Sequence, residues 1–174
     1  MLIRNASTGD LAEIMKIVDA ARKYFAQNNI PQWQEEYPSE KDFSEDIEGD
    51  RLFVAENDGK VLGVYCYDTR GDKNYDEIYE GSFRADEPYA AIHRVAVSPD
   101  AKGQGIGGLM VSHAISLAKE QGFSQMRGDT HRLNISMQRM LIKNGFQKRG
   151  IIYLDGKKDE KNERFVFDML FSEV

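Results

Sequence analysis

Between residues 95 and 108 the chain reads Val-Ala-Val-Ser-Pro-Asp-Ala-Lys-Gly-Gln-Gly-Ile-Gly-Gly, four glycines within the last six positions. Glycine lets successive backbone N–H groups turn toward one point, and the start of a helix adds the partial positive end of its dipole. The chemistry this favours is anion binding, a cradle for phosphate. Gly103, Gly105 and Gly108 also satisfy G-x-G-x-x-G, but that dinucleotide fingerprint belongs to the tight first turn of a βαβ unit. Here Ser98 to Lys102 separate strand from glycine, and paired antiparallel strands are expected before it. A P-loop would close on Gly-Lys-Ser/Thr, which Gly107-Gly108-Leu109 does not supply. A merely flexible loop is the plain alternative; the well-patterned helix that follows argues against it.

The elements that must position this loop are legible in outline. Leu2 to Asn5 reads as a strand, and Thr8 as the cap of a helix with Leu11, Ile14, Val18, Ala21 and Phe25 on its apolar face. Ser39 and Asp42 form a capping box for a helix burying Phe43 and Ile47. Leu52–Ala55 and Val61–Tyr67 flank a hairpin turn at Asn57-Asp58-Gly59-Lys60. After a polar, aromatic stretch from Asp68 to Glu87 comes a strand at Ala90–Val97. The glycine helix then runs to about Gly122, followed by a strand at Phe123–Asp129, a helix at Asn134–Asn144 stopped by Gly145, and strands at Gly150–Leu154 and Arg164–Leu170. Strand pairs first and strand-helix alternation afterwards predict an α/β fold, a mixed sheet with helices on both faces.

Composition narrows the functions. The 174 residues suit one domain, 1–174. One cysteine, Cys66, excludes an internal disulfide and a thiolate zinc site, and three scattered histidines make no metal triad, so no metal is expected. No apolar run spans a membrane, and Met-Leu-Ile-Arg lacks the core of a signal peptide, so a cytoplasmic protein without a membrane partner is expected. The net charge of −6 is uneven: residues 1–100 carry 11 basic and 21 acidic side chains, and the remainder 12 and 8. Such a chain is a poor nucleic-acid binder, which needs a dense Lys/Arg surface. It suits a small anion at the basic end and a cation at the acidic end.

The loop resembles the acyl-CoA signature of the GNAT superfamily of N-acyltransferases, Gln/Arg-x-x-Gly-x-Gly/Ala, with Lys102, Gly105 and Gly107 at its defined positions. The strand Val95 to Pro99 and the segment from Asn134 through Gly145-Phe146 are similar to the family's flanking elements, and the order of elements matches over nearly the whole chain. The resemblance implies a GNAT fold: a mixed, mostly antiparallel sheet of six to seven strands. It implies acetyl-CoA as cofactor, its pyrophosphate on the amides of Gly103, Gln104, Gly105, Ile106, Gly107 and Gly108, with Lys102 as a point charge in place of the usual Arg or Gln. The pantetheine arm would lie along Val95, Ala96 and Val97, an amide near Val95 polarising the thioester, and Asn134 would contact the cofactor while capping its helix.

The implied reaction sets a requirement. An alkyl ammonium of pKa about 10.4 must lose a proton before attack, a cost of about 4.6 kcal/mol at pH 7. By the resemblance Asp129 is the first candidate base and His93 the second, with water-mediated loss as a third route. The family's tyrosine acid falls on Leu141, which donates nothing; Tyr153 is a substitute, or the thiolate leaves unaided, since its pKa is near 8.5. For the acceptor side the candidates are Trp33, Tyr37, Glu77, Glu80 and His131. Trp33 and Tyr37 either wall a pocket or anchor a loop; His131 either orients its turn or faces the acceptor. The acids of residues 35–50 read as a solvated face before a cation-steering one. The expected partner is a small-molecule or peptide amine, and dimers are common in the family, so a homodimer is a possibility. Leu141 motivates the alternative of a catalytically weak acyl-CoA-binding or regulatory module.

Overall fold

The computed structural model describes residues 1–173. Seven strands, β1 (Leu2–Asn5), β2 (Leu52–Asn57), β3 (Lys60–Asp68), β4 (Ala90–Val97), β5 (Gln125–Thr130), β6 (Gln147–Tyr153) and β7 (Glu163–Leu170), stand in the order β1-β2-β3-β4-β5-β7-β6. β4 and β5 pair in parallel, while β1–β2, β2–β3, β5–β7 and β6–β7 are antiparallel. Four helices accompany them: α1 (Leu11–Gln27), α2 (Glu40–Glu48), α3 (Ile106–Glu120) and α4 (Ile135–Lys143). This is the mixed, mostly antiparallel α/β architecture expected from the sequence.

The chain forms two compact units, Met1–Tyr67 with His93–His113, and Asp68–Ile92 with the chain from Ala114. In the first unit the periodic residues of α1 meet the strands: Ile14, Val18, Phe43, Leu52, Val54, Val64 and Cys66 form one buried cluster. The β2–β3 hairpin turns on Asp58 and Gly59, both at positive φ (51° and 78°), the geometry that matches the twist of paired strands. The entry to α1 differs from expectation. Ser7, not Thr8, caps the short 3-10 turn Thr8–Asp10, because its N–H and hydroxyl both donate to Asp10 (2.7 and 2.9 Å). Arg4 also donates twice to that carboxylate at 2.8 Å and, with Ser7, holds it well below the usual carboxylate range. The Ser39–Asp42 box at α2 forms as predicted.

In the second unit β5 pairs β7 over six residues and β6 pairs β7 on its other side. The long connection 69–89 is pinned by polar contacts. Arg84 donates to the fully buried Asp168 (2.8 Å), and the Arg127 guanidinium lies 3.7 and 4.0 Å from the ring centroids of Phe83 and Tyr89. Tyr79 exchanges two backbone hydrogen bonds with Ile151, both 2.8 Å. Gly81 is required there: a Cβ would stand 1.8 Å from the Arg149 carbonyl oxygen. α4 ends as expected, with Gly145 at φ 93° and the Phe146 N–H bonded to the Leu141 carbonyl at 3.1 Å.

Candidate functional site

The glycine loop belongs to the first unit. After β4, Ser98 anchors the chain through its N–H to the Leu62 carbonyl (2.8 Å), and a 3-10 turn over Pro99–Ala101 leads into residues 102–105. Buried Ala101 and Ile106 pin the two ends of an otherwise exposed loop. Gly103 and Gly105 both have φ +78°, where other residues are strained, and nothing lies within 4 Å of the position a Cβ would take on either. Glycine is there for conformation, not for close packing. The ladder of α3 begins with the Leu109 N–H on the Gly105 carbonyl at 3.0 Å. The amides of Ile106, Gly107 and Gly108 therefore precede it, at the positive end of a 15-residue helix, with no intrahelical acceptor. An open loop rimmed by such amides fits a pyrophosphate.

Two side chains brace the loop. The Gln104 amide donates to the Asp100 carbonyl (3.1 Å), and Asp100 pairs with Lys60 (3.0 Å). Lys102 lies with Nζ 4.3 Å from the ring centroid of Tyr24 on α1, so the lysine expected to meet phosphate is also tethered to an aromatic face.

On β4, burial is continuous over Ala90, Ala91 and Ile92, is only partial over His93, Arg94 and Val95, and resumes at Ala96. The interruption coincides with Arg94, whose φ is +51°. Strict alternation would set His93 and Val95 on one face; a left-handed residue between them breaks that alternation. The Arg94 guanidinium donates to Asp46 and lies 5.3 Å from the ring centroid of Tyr37. Tyr37, 49 % exposed, thus has a cationic partner within its own unit. Trp33 has contacts of its own in the same unit. It packs edge-on to Phe25 with centroids 5.7 Å apart and sits, partly buried, against the cluster of α1, the contacts of a loop anchor.

The second unit holds the other candidates. Asp129, near the end of β5, accepts a 2.6 Å hydrogen bond from the Tyr75 hydroxyl. Tyr75 is only 3 % exposed; burial first, and the Asp129 charge second, push its phenol well above the ordinary tyrosine value. It donates a hydrogen bond to the carboxylate and keeps its proton. Sequence reasoning missed this partner because 54 residues separate the two. Asn134 is the N-cap of α4, its side chain accepting from the Met137 N–H at 3.2 Å. His131 is fully buried and both ring nitrogens are engaged. Nδ1 accepts from the Leu133 N–H (3.2 Å), which leaves Nε2 to donate to the Glu160 carbonyl (2.8 Å). Burial lowers its pKa, so it is a neutral clasp for the bend before α4. These are the contacts of the first of the two roles open to it, orienting its turn.

Glu77 lines a cleft of about 260 Å³ with Lys73, Asn74, Tyr79, Tyr153 and Asp155. Tyr79 and Tyr153 meet edge-to-face there at 5.4 Å. Glu80 is exposed at φ 57° and is not among the lining residues. Leu141, at the family's tyrosine position, is completely buried. Among the described residues no group of His, Cys, Asp or Glu is arranged to hold a metal ion, and no helix is long and apolar enough to cross a membrane.

Comparison with known proteins gives the family and the fold. The model of the acetyltransferase (GNAT) family matches residues 16–146, and the chain belongs to that family. A GNAT-family acetyltransferase of Streptococcus agalactiae is 29% identical, with a TM-score of 0.86 over 97% of this chain and 94% of its own. A phosphinothricin acetyltransferase of Sinorhizobium meliloti, solved in complex with acetyl-CoA, shares the fold at 20% identity, with a TM-score of 0.68 over 97% of this chain and 87% of that one. An uncharacterised N-acetyltransferase of Methanocaldococcus jannaschii is 26% identical over 125 residues, 69% of this chain and 49% of the relative, so the chain matches about half of that protein's length.

Proposed function

We propose that this protein transfers an acetyl group from acetyl-CoA directly to a primary amine of a small molecule or peptide. The observation that carries the reading is the glycine loop, in which the positive φ of Gly103 and Gly105 sets the turn that leaves the amides of Ile106, Gly107 and Gly108 ahead of the first α3 ladder bond. These amides would hold the pyrophosphate, with Lys102 nearby as a point charge. Acetyl-CoA, when bound, would supply the acyl thioester, with the CoA thiolate as leaving group.

The chain's residues then do three things. Val95 and Val97 offer strand amides and carbonyls for the pantetheine arm, and the Val95 N–H stabilises negative charge on the thioester oxygen, a contribution of about 2.7 to 4 kcal/mol in comparable sites. Asp129, oriented by Tyr75, receives the proton that the acceptor ammonium loses, the amine nitrogen forms the C–N bond as the C–S bond breaks, and the second nitrogen proton passes to the released thiolate, giving amide and CoA thiol. His93 is the second candidate for that proton. Asn134 caps α4 and offers its amide to the cofactor. Leu141 cannot protonate the leaving group, and a thiolate of pKa near 8.5 needs little help to leave at neutral pH.

The test is binding of acetyl-CoA followed by release of CoA thiol across amino acids, polyamines, aminoglycosides and peptide N-termini. Amine-dependent thiol release is expected with at least one class. Binding without release across the whole panel would instead favour an acyl-CoA-binding module.

A further inference from the structure

Arg94 is the one residue within β4 with positive φ, and it immediately precedes Val95. An L-residue with a long side chain is disfavoured in the left-handed region, and in a strand interior nothing local favours it. Such outliers persist only where surrounding structure over-determines them. The holding contacts are at hand, all within the first unit. Asp46 on α2 is 2 % exposed and gives one carboxylate oxygen to the Arg94 guanidinium; its other oxygen accepts from Arg51 Nε and Nη2 at 3.3 and 3.2 Å. The guanidinium also faces the Tyr37 ring at 5.3 Å. Asp46 is thus the exception in the acidic run 35–50: a buried anion that would be costly without its arginines.

From this arrangement we infer that Arg94 is a positioning residue for acyl transfer. Its side chain, locked on Asp46 and Tyr37, holds residue 94 in the left-handed conformation and so fixes the direction of the Val95 N–H. The inference rests on the reading of Val95 as the amide that meets the thioester oxygen. It also gives the 31–38 segment a role, since Tyr37 steadies the strand that presents that amide. A residue that only stabilised the fold would change the melting temperature and affect binding and turnover together. A residue that aims one amide at a charge developing in the transition state changes kcat and spares affinity for the cofactor.

Two substitutions separate conformation from anchoring. Arg94→Gly tolerates positive φ but has no tether; Arg94→Val has no tether and resists positive φ. With the amine found active in the panel, kcat is expected to fall roughly tenfold in Arg94→Gly and further in Arg94→Val, while the Kd for CoA, which has no thioester carbonyl, stays within about twofold. Amide NMR supplies a readout that needs no acceptor. In the wild type the Val95 resonance should move more with acetyl-CoA than with CoA, and that difference should shrink in Arg94→Val. Equal kcat in wild type and Arg94→Val, or an undiminished acetyl-CoA-specific shift of Val95, would overturn the role of Arg94 alone. A wild-type protein whose Val95 resonance answers CoA and acetyl-CoA alike would overturn the underlying reading of Val95, and this inference with it.

Discussion

The glycine loop and the β5–α4 segment both carry candidate function, yet they are built in opposite ways. Residues 101–108 would act through backbone: two positive-φ glycines and a helix that starts at Ile106, braced by Gln104 on Asp100, by Lys60 on the adjoining hairpin and by Tyr24 on α1. Residues 129–134 would act through side chains, and two of them take partners from far away, Tyr75 for Asp129 and Glu160 for His131, while Asn134 caps its own helix. A backbone device should tolerate changes of side chain but fail when a Cβ or a branched chain fills it. A side-chain device should fail when a single functional atom is exchanged.

The largest expected effect lies on the side-chain half. Asp129→Asn should lower kcat on the order of 10³-fold near pH 7, with partial recovery at alkaline pH where the free amine is already abundant, while acetyl-CoA affinity holds. An unchanged pH-rate profile would transfer the base role to His93 or to water. Next comes the backbone half: Gly107→Val places a branched side chain among the amides, and acetyl-CoA affinity should weaken about 100-fold by calorimetry with the circular dichroism spectrum unaltered, the equivalent of one or two charge-assisted hydrogen bonds lost. Tyr75→Phe is a milder probe. It removes the hydroxyl that donates at 2.6 Å to Asp129, so kcat should drop about tenfold at constant Kd; a loss of Kd equal to the loss of kcat would make Tyr75 a fold residue.

The smallest effect concerns stability and pH. His131 has its pKa lowered by burial, so the unfolded chain, with histidine near 6.5, binds the proton more readily. Its neutral clasp therefore contributes fully above about pH 6.5, and stability falls as the pH drops below that value, by at most about 1.4 kcal/mol per pH unit. Denaturant midpoints between pH 7.5 and 5 should show this slope in the wild type and a shallower one in His131→Asn.

The same contrast explains what could be read from the sequence. Glycine at 103 and 105 signals its own conformation, and the spacing of Ile14, Val18 and Phe25 signals its own helix, so the loop, the sheet and all four helices were legible. The cap before α1 lies one residue earlier than expected because Ser7 and Thr8 are both capable caps; what decides is the reciprocal bond of Asp10 to Ser7, reinforced by Arg4 from β1. Trp33 and His131 are ambiguous in sequence for a different reason. Burial and partner choice are set by Phe25 and by Glu160, and no local pattern encodes either contact. Strict alternation along β4 hides the kink at Arg94, since an arginine gives no sign that its φ is positive.

The division of labour is tested most directly by one calorimetric series, CoA titrated into the wild type, Gly107→Val and Asp129→Asn under one buffer. Equal Kd is expected for the wild type and Asp129→Asn, with about 100-fold weaker binding for Gly107→Val. Undiminished binding by Gly107→Val, or an equal loss in Asp129→Asn, would contradict that division.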